Sequence, residues 1–164
     1  MAREDRDSWV DVYMQMAFTV SKRSPDAQTQ CGCVITTKNN RIVSCGYNGY
    51  PRDIDYSNLP DTRPDKYPWM FHAERNAVLN CPTQPKGCSA YVSCPPCREC
   101  LMEMWQAGID TLYVADVEDV KMLQGDGEYV EWKKEFLALT KLKYIVATFM
   151  VDGHGKISWY LSQK

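Results

Sequence analysis

Residues 93–100 read Ser-Cys-Pro-Pro-Cys-Arg-Glu-Cys, and the spacing of Cys94, Cys97 and Cys100 constrains this chain more than any other stretch. Pro96 suits the first turn of a helix, where its missing N–H has no intrahelical partner to lose. Cys97 and Cys100 then fall at i and i+3 on one face of that helix start. Exposed N–H groups and the helix dipole favour thiolates there. Upstream, His72 opens a second helical run, HAERNAVLNC, and Glu74 follows two residues later. Residues two apart do not share a helix face. If His72 binds a metal, Glu74 therefore stands beside an open coordination position instead of filling it. One neutral imidazole, two thiolates and a dication sum to zero charge, the donor set of a catalytic zinc with room for water. The alternative is a closed structural site that adds Cys94, which precedes both prolines and would have to bend back.

Periodicity places these segments in an α/β chain. Residues 8–23 read as an amphipathic helix with Ser8 as cap and Val12, Met16 and Val20 at helical spacing. CGCVITTK and RIVSCGYNG form strands around Asn39-Asn40, a hairpin signal. Residues 50–69 are rich in Pro and Asp without periodicity, a long loop of the kind that is usually either functional or disordered. Then follow the HAERNAVLNC helix, the strand SAYVSC, a helix stopped at Gly108, the strand IDTLYVAD, the helix EYVEWKKEFLALTKL and a last strand KYIVATFMVDG. ISWYLSQK remains as a tail, and His154 falls in a surface turn. The order α-β-β-α-β-α-β-α-β predicts a three-layer α/β/α sandwich with a central five-stranded mixed sheet.

The 164 residues suit a single domain, 1–164. Nineteen Lys and Arg against 21 Asp and Glu argue against a broad nucleic-acid surface. No apolar run approaches the ~20 residues of a membrane span, and the start of the chain lacks the apolar core of a secretion signal. A cytoplasmic setting follows, and with it eight reduced cysteines. Among them Cys31, Cys33 and Cys45 are predicted as small buried hydrophobes, and Cys81 and Cys88 as ordinary loop or core thiols.

His-Ala-Glu joined to Pro-Cys-x-x-Cys resembles the signature of the zinc-dependent cytidine deaminase superfamily. GYNGYPR (46–52), KYPWMFHAERNAVLN (66–80), GCSAYVSCPPCREC (87–100) and QAGI (106–109) are similar to its deoxycytidylate (dCMP) deaminase branch, and the similarity runs from about residue 24 to 116. The resemblance implies hydrolysis of dCMP to dUMP and ammonia, supplying thymidylate synthesis. His72, Cys97 and Cys100 become zinc ligands and Glu74 the catalytic proton shuttle. SPDAQTQCG (24–32) is similar to the family segment Ser-Lys-Asp-Pro-x-Thr-x-x-Gly; Ser24, Asp26, Thr29 and Gly32 match, whereas Pro25 and Ala27 depart. Ser24 is then a hydroxyl on the substrate phosphate, with Arg23 or Lys22 replacing the missing lysine. Asn48 serves the deoxyribose 3′-hydroxyl, and Ala73 also counts among the substrate positions. Gly46, Tyr47, Asn48 and Gly49 carry the family's regulatory G-Y-N-G, implying activation by dCTP with Mg2+, inhibition by dTTP, and a homohexamer. Competing readings are a polynucleotide deaminase, a free-cytidine or purine deaminase, and a zinc-stabilised binding module without catalysis.

Overall fold

The computed structural model describes residues 6–117 and 127–163. Among the described residues four helices accompany six strands: α1 Trp9–Ser21, β1 Gly32–Thr36, β2 Ile42–Tyr47, α2 Ala73–Leu79, β3 Ser89–Val92, α3 Arg98–Ala107, β4 Thr111–Ala115, α4 Gly127–Leu139, β5 Lys143–Val151 and β6 Ile157–Gln163. A single turn of 3-10 helix, Tyr67–Trp69, precedes α2. The sheet order is β2-β1-β3-β4-β5-β6. β3, β4 and β5 run parallel, and the β2-β1, β1-β3 and β5-β6 pairs are antiparallel.

Parity along the strands sorts the two faces. Cys33, Ile35, Ala90, Val92, Leu112, Val114, Tyr144 and Val146 pack in one core with side chains from α2, α3 and α4. Their neighbours Val34, Tyr91, Ala115 and Ala147 pack under α1. Central strands covered on both faces read as continuous apolar runs, which is how β1 and β3 look in the sequence. The result is the expected sandwich, with one helix on one face and three on the other.

Two expectations change. The sheet has six strands because the tail ISWYLSQK returns antiparallel along β5, from Val151↔Ile157 to Ile145↔Gln163. Gly155, at φ 77°, supplies the left-handed residue that turns the hairpin back. Trp159 of β6 stacks on Phe18 of α1 with ring centroids 5.6 Å apart, an alternation too short to separate from a tail by pattern alone. The second change lies in α1, whose buried line is Tyr13, Met14, Ala17 and Ser21, not Val12, Met16 and Val20. Its start is as read: the Ser8 hydroxyl accepts from the Asp11 N–H at 3.1 Å, and the Asp11 carboxylate accepts from the Ser8 N–H at 3.0 Å.

Close backbone approaches fix the layers. A Cβ on Gly46 would lie 2.3 Å from Ala77 N and 2.5 Å from Ala73 O, so β2 and α2 touch through a position without a side chain. The Ser44 hydroxyl donates to Ala77 O at 2.7 Å, and the Asn76 and Asn80 amides donate to Tyr47 O and Cys45 O at 2.8 Å each. α3 ends where Gly108 takes φ 96°. No helix among the described residues is long and apolar enough to cross a membrane.

Gly46→Ala is expected to cost about 1–3 kcal/mol or more, since neither clashing atom belongs to a flexible side chain. Gly153→Ala, with nothing within 4 Å of the added carbon, is expected to stay within about 0.5 kcal/mol. Urea unfolding midpoints of the two variants check the contrast.

Candidate metal and proton-transfer site

The chain enters α2 through a short bridge. Gly49 N–H donates to Phe71 O at 3.0 Å and Phe71 N–H to Gly49 O at 2.8 Å, so His72 arrives with extended backbone as the N-cap of α2. Cys97 is the N-cap of α3, and Cys100 lies in its first turn. The Tyr129 hydroxyl of α4 donates to Pro96 O at 2.5 Å and holds the proline turn that aims Cys97. Between the helices, Arg75 of α2 and Glu103 of α3 form a two-pronged ion pair, with Nε to Oε2 at 2.9 Å. A guanidinium presents its donors as a rigid fork, so this contact fixes orientation as well as distance.

His72 Nδ1 lies 3.4 Å from both Cys97 Sγ and Cys100 Sγ. All three donor atoms fall within 4.8 Å of one another. Tetrahedral zinc, with bonds of ~2.0–2.3 Å to nitrogen and sulfur, spans ligand separations of this size. The hydrogen bond from the Cys100 thiol, reinforced by His72, holds the Cys97 thiol well below its ordinary value. The bond with Cys97 raises the His72 imidazole above its ordinary value. One imidazole and two sulfurs fit a soft or borderline dication.

Glu74 sits two residues beyond His72 and is 4% exposed. Burial pushes its carboxyl up to about 7, against the pull of its own backbone N–H. A carboxyl with that affinity can both take and give a proton near neutral pH.

Other predicted residues occupy the same end of the sheet. Ser24 is buried, and its hydroxyl accepts from Asp26 N–H at 3.2 Å. Ala73 is fully buried. Asn48 does not make a free turn: its carbonyl accepts from Cys31 N–H at 2.8 Å and its amide donates to Thr29 O at 2.8 Å. Its side chain thereby ties the segment before β1 to the end of β2. Gly46 and Tyr47 belong to β2 and pack on α2. Arg23 is exposed just past α1.

Cys94 is not drawn into the metal triangle. It forms a disulfide with Cys31, Cα atoms 5.7 Å apart, which corrects the expectation that every thiol is reduced. The two positions meet because Gly32 N–H donates to Ser93 Oγ at 2.8 Å, pinning the start of β1 to the end of β3. Cys45 is exposed rather than buried, while Cys33 and Cys88 are core residues.

Sequence reasoning missed Lys66. Its ammonium is 2% exposed and donates to Asp26 Oδ1 at 2.6 Å and Gln28 Oε1 at 3.0 Å. Burial would raise the Asp26 carboxyl, but Lys66 and the N–H groups of Gln28 and Thr29 outweigh it and hold the carboxyl below its ordinary value. A lysine inside a Pro- and Asp-rich loop carries no signal that it will be buried.

Residues 7–116 match the family model described as the cytidine and deoxycytidylate deaminase zinc-binding region. A deoxycytidylate deaminase of Homo sapiens is 39% identical over 122 residues, covering 70% of this chain and 68% of that protein. A deaminase of Aliivibrio fischeri is 43% identical over 105 residues, 64% of this chain and 71% of that one. Among solved structures, the apo dCMP deaminase of cyanophage S-TIM5 superposes with a TM-score of 0.57 at 26% identity, over 68% of this chain and 87% of its own. The same enzyme in complex with dCMP and dUMP also gives 0.57, over 63% and 78%.

Cys97→Ser, Cys100→Ser and His72→Ala are each expected to purify with little bound zinc. Cys94→Ser should retain a full complement, since its sulfur is committed to Cys31. Metal analysis of the purified variants decides; zinc loss in Cys94→Ser would restore the closed four-ligand site.

Proposed function

Because this chain belongs to the cytidine and deoxycytidylate deaminase zinc-binding family, we propose that it hydrolyses dCMP to dUMP and ammonia. The observation that carries this reading is the His72–Cys97–Cys100 triangle with a buried carboxyl two residues from its histidine. His72 Nδ1 and the sulfurs of Cys97 and Cys100 would hold zinc. Bound there, zinc supplies the Lewis acidity that makes water a nucleophile near neutral pH.

The remaining work belongs to the chain. Glu74 takes a proton from the attacking water and delivers it to N3 of the pyrimidine. It then carries the second water proton to the amino group at C4, which departs as ammonia while the C4 carbonyl of dUMP forms. The atoms balance as dCMP plus water giving dUMP plus ammonia, and Glu74 ends as it began. Burial assists twice: it keeps bulk water out and sets the carboxyl near the operating pH. Ser24, Asn48 and Ala73 line the nucleotide side in this reading. Asn48 acts there partly by fixing the 24–31 segment, as its two backbone bonds suit it to do.

Regulation is the finer part of the proposal. Activation by dCTP with Mg2+ and inhibition by dTTP would act through residues 46–49, in a homohexamer. Supporting assembly, the groove between α2 and α3 leaves Leu79 and Met102 exposed around the Arg75–Glu103 pair. Sedimentation with and without dCTP reads this directly.

Ammonia release from dCMP and deoxycytidine, measured in parallel on zinc-replete protein with dCTP and Mg2+, tests the reading. Turnover of dCMP in strong preference is expected. Zinc-loaded protein inert on both substrates would favour a polynucleotide substrate or a structural role. Glu74→Gln should keep its zinc and its fold and lose at least about a hundredfold in kcat. Loss of zinc in that variant would count against the shuttle.

A further inference from the structure

We infer that α4 completes the metal site: Tyr129 and Trp132 hold the residues on either side of Cys97 and are positioning residues for that sulfur. This rests on the zinc reading above and goes beyond it, since the family-matched segment ends at residue 116 and α4 begins at Gly127.

The loop that delivers Cys97 cannot brace itself. Pro95 and Pro96 have no N–H to donate. On one side Ser93 N–H donates to Gly32 O at 2.9 Å, and on the other Leu101 N–H donates to Cys97 O at 3.0 Å. Between those bonds, among the described residues, a single hydrogen bond reaches the backbone, from the Tyr129 hydroxyl to Pro96 O at 2.5 Å. The Cys31–Cys94 disulfide restrains the start of the loop, two prolines short of Cys97.

Pro96 O is an effective place to hold. It shares one planar peptide group with Cys97 N, so a bond to the oxygen sets the plane from which Cys97 Cα and its sulfur hang. Tyr129 is 5% exposed and belongs to the main core, so its hydroxyl cannot trade this partner for bulk water. Its ring is fixed in turn: Trp132 stacks on it with centroids 6.1 Å apart, and the Lys133 ammonium lies 5.4 Å over it.

The same helix also takes hold of the residue after Cys97. The Arg98 guanidinium lies 5.0 Å over the Trp132 ring, a face that attracts cations. Its contact with the Glu128 carboxylate, at 3.4 Å, is solvent-exposed and adds little. Tyr129 and Trp132 stand three apart on one face of α4, and Pro96 and Arg98 bracket Cys97. The two sulfurs are therefore held by different means. Cys100 sits inside α3 and is placed by that helix, whereas Cys97 is its cap, half outside the hydrogen-bonded turns. Metal sites accept ligand errors of only about 0.2 Å, so the ligand outside the helix is the one that needs an external support.

The test is zinc affinity, read by competition with a chromogenic chelator on the folded 164-residue protein. Tyr129→Phe removes one oxygen and is expected to weaken zinc binding about ten- to a hundredfold. Trp132→Leu keeps that hydroxyl and the Arg98 charge, and is expected to weaken binding severalfold. Tyr13→Phe is the matched control, because its buried hydroxyl donates to Asn40 O at 2.7 Å beneath α1, on the other face of the sheet. That variant should lose thermal stability to a similar degree and keep its zinc affinity. The visible spectrum of the cobalt-loaded protein should change in Tyr129→Phe and stay as it is in Tyr13→Phe. Wild-type zinc affinity in Tyr129→Phe, or an equal fall in Tyr13→Phe, would overturn the positioning role. If Tyr129→Phe does not fold, wild-type affinity in Trp132→Leu overturns it instead. Unaltered protein that binds no zinc would sink the metal reading itself, whatever the α4 variants do.

Discussion

Two helices must begin at one point in space, and the rest of the molecule is arranged to make them do so. His72 and Cys97 are both N-caps, so both present short side chains from the positive ends of their helices. Neither α2 nor α3 is long enough to be stable alone. α2 is held by three side-chain bonds to β2 and a glycine contact, α3 by the proline turn under Tyr129, and the pair by Arg75 on Glu103. Loosening any of these would separate donor atoms that now lie within 4.8 Å. A donor triangle is sensitive to displacements of a few tenths of an ångström.

The same geometry explains why Glu74 is not a ligand. As the second residue of α2 it stands roughly half a turn from the cap, buried and hydrogen-bonded to the Cys100 side chain. The desolvation that costs stability in an ordinary carboxylate here sets a proton affinity near neutrality.

How much of this can be read in the sequence depends on range. The metal triangle was legible because each half is local: an i, i+3 cysteine pair after two prolines, and a histidine and glutamate on one turn. The layers were legible because strand-like and helical runs alternate along the chain. β6 was not, since its pairing with β5 depends on a five-residue turn and on a tryptophan that meets Phe18, 141 positions away. The Cys31–Cys94 disulfide joins residues 63 apart. Nothing local to either cysteine gives a reason to pair them. Lys66 was hidden for a related reason: a lysine is read as solvated until its partner is known, and Asp26 lies 40 residues earlier.

That buried pair shows what the long loop is for in physical terms. Desolvating a lysine and an aspartate together is seldom a net gain in stability, and removing one partner from such a pair costs ~3–5 kcal/mol because the other is stranded. A surface loop under no constraint would place both in water. The pair instead ties residues 50–69 to one position over residues 24–29, at the sheet end that holds the metal triangle. The arrangement fixes where the loop lies more than it stabilises the fold. Asp26 and Lys66 neutralise one another, and Asn48 ties the same 24–31 segment to the end of β2, so the loop, the segment before β1 and the entry to α2 hold one another in place.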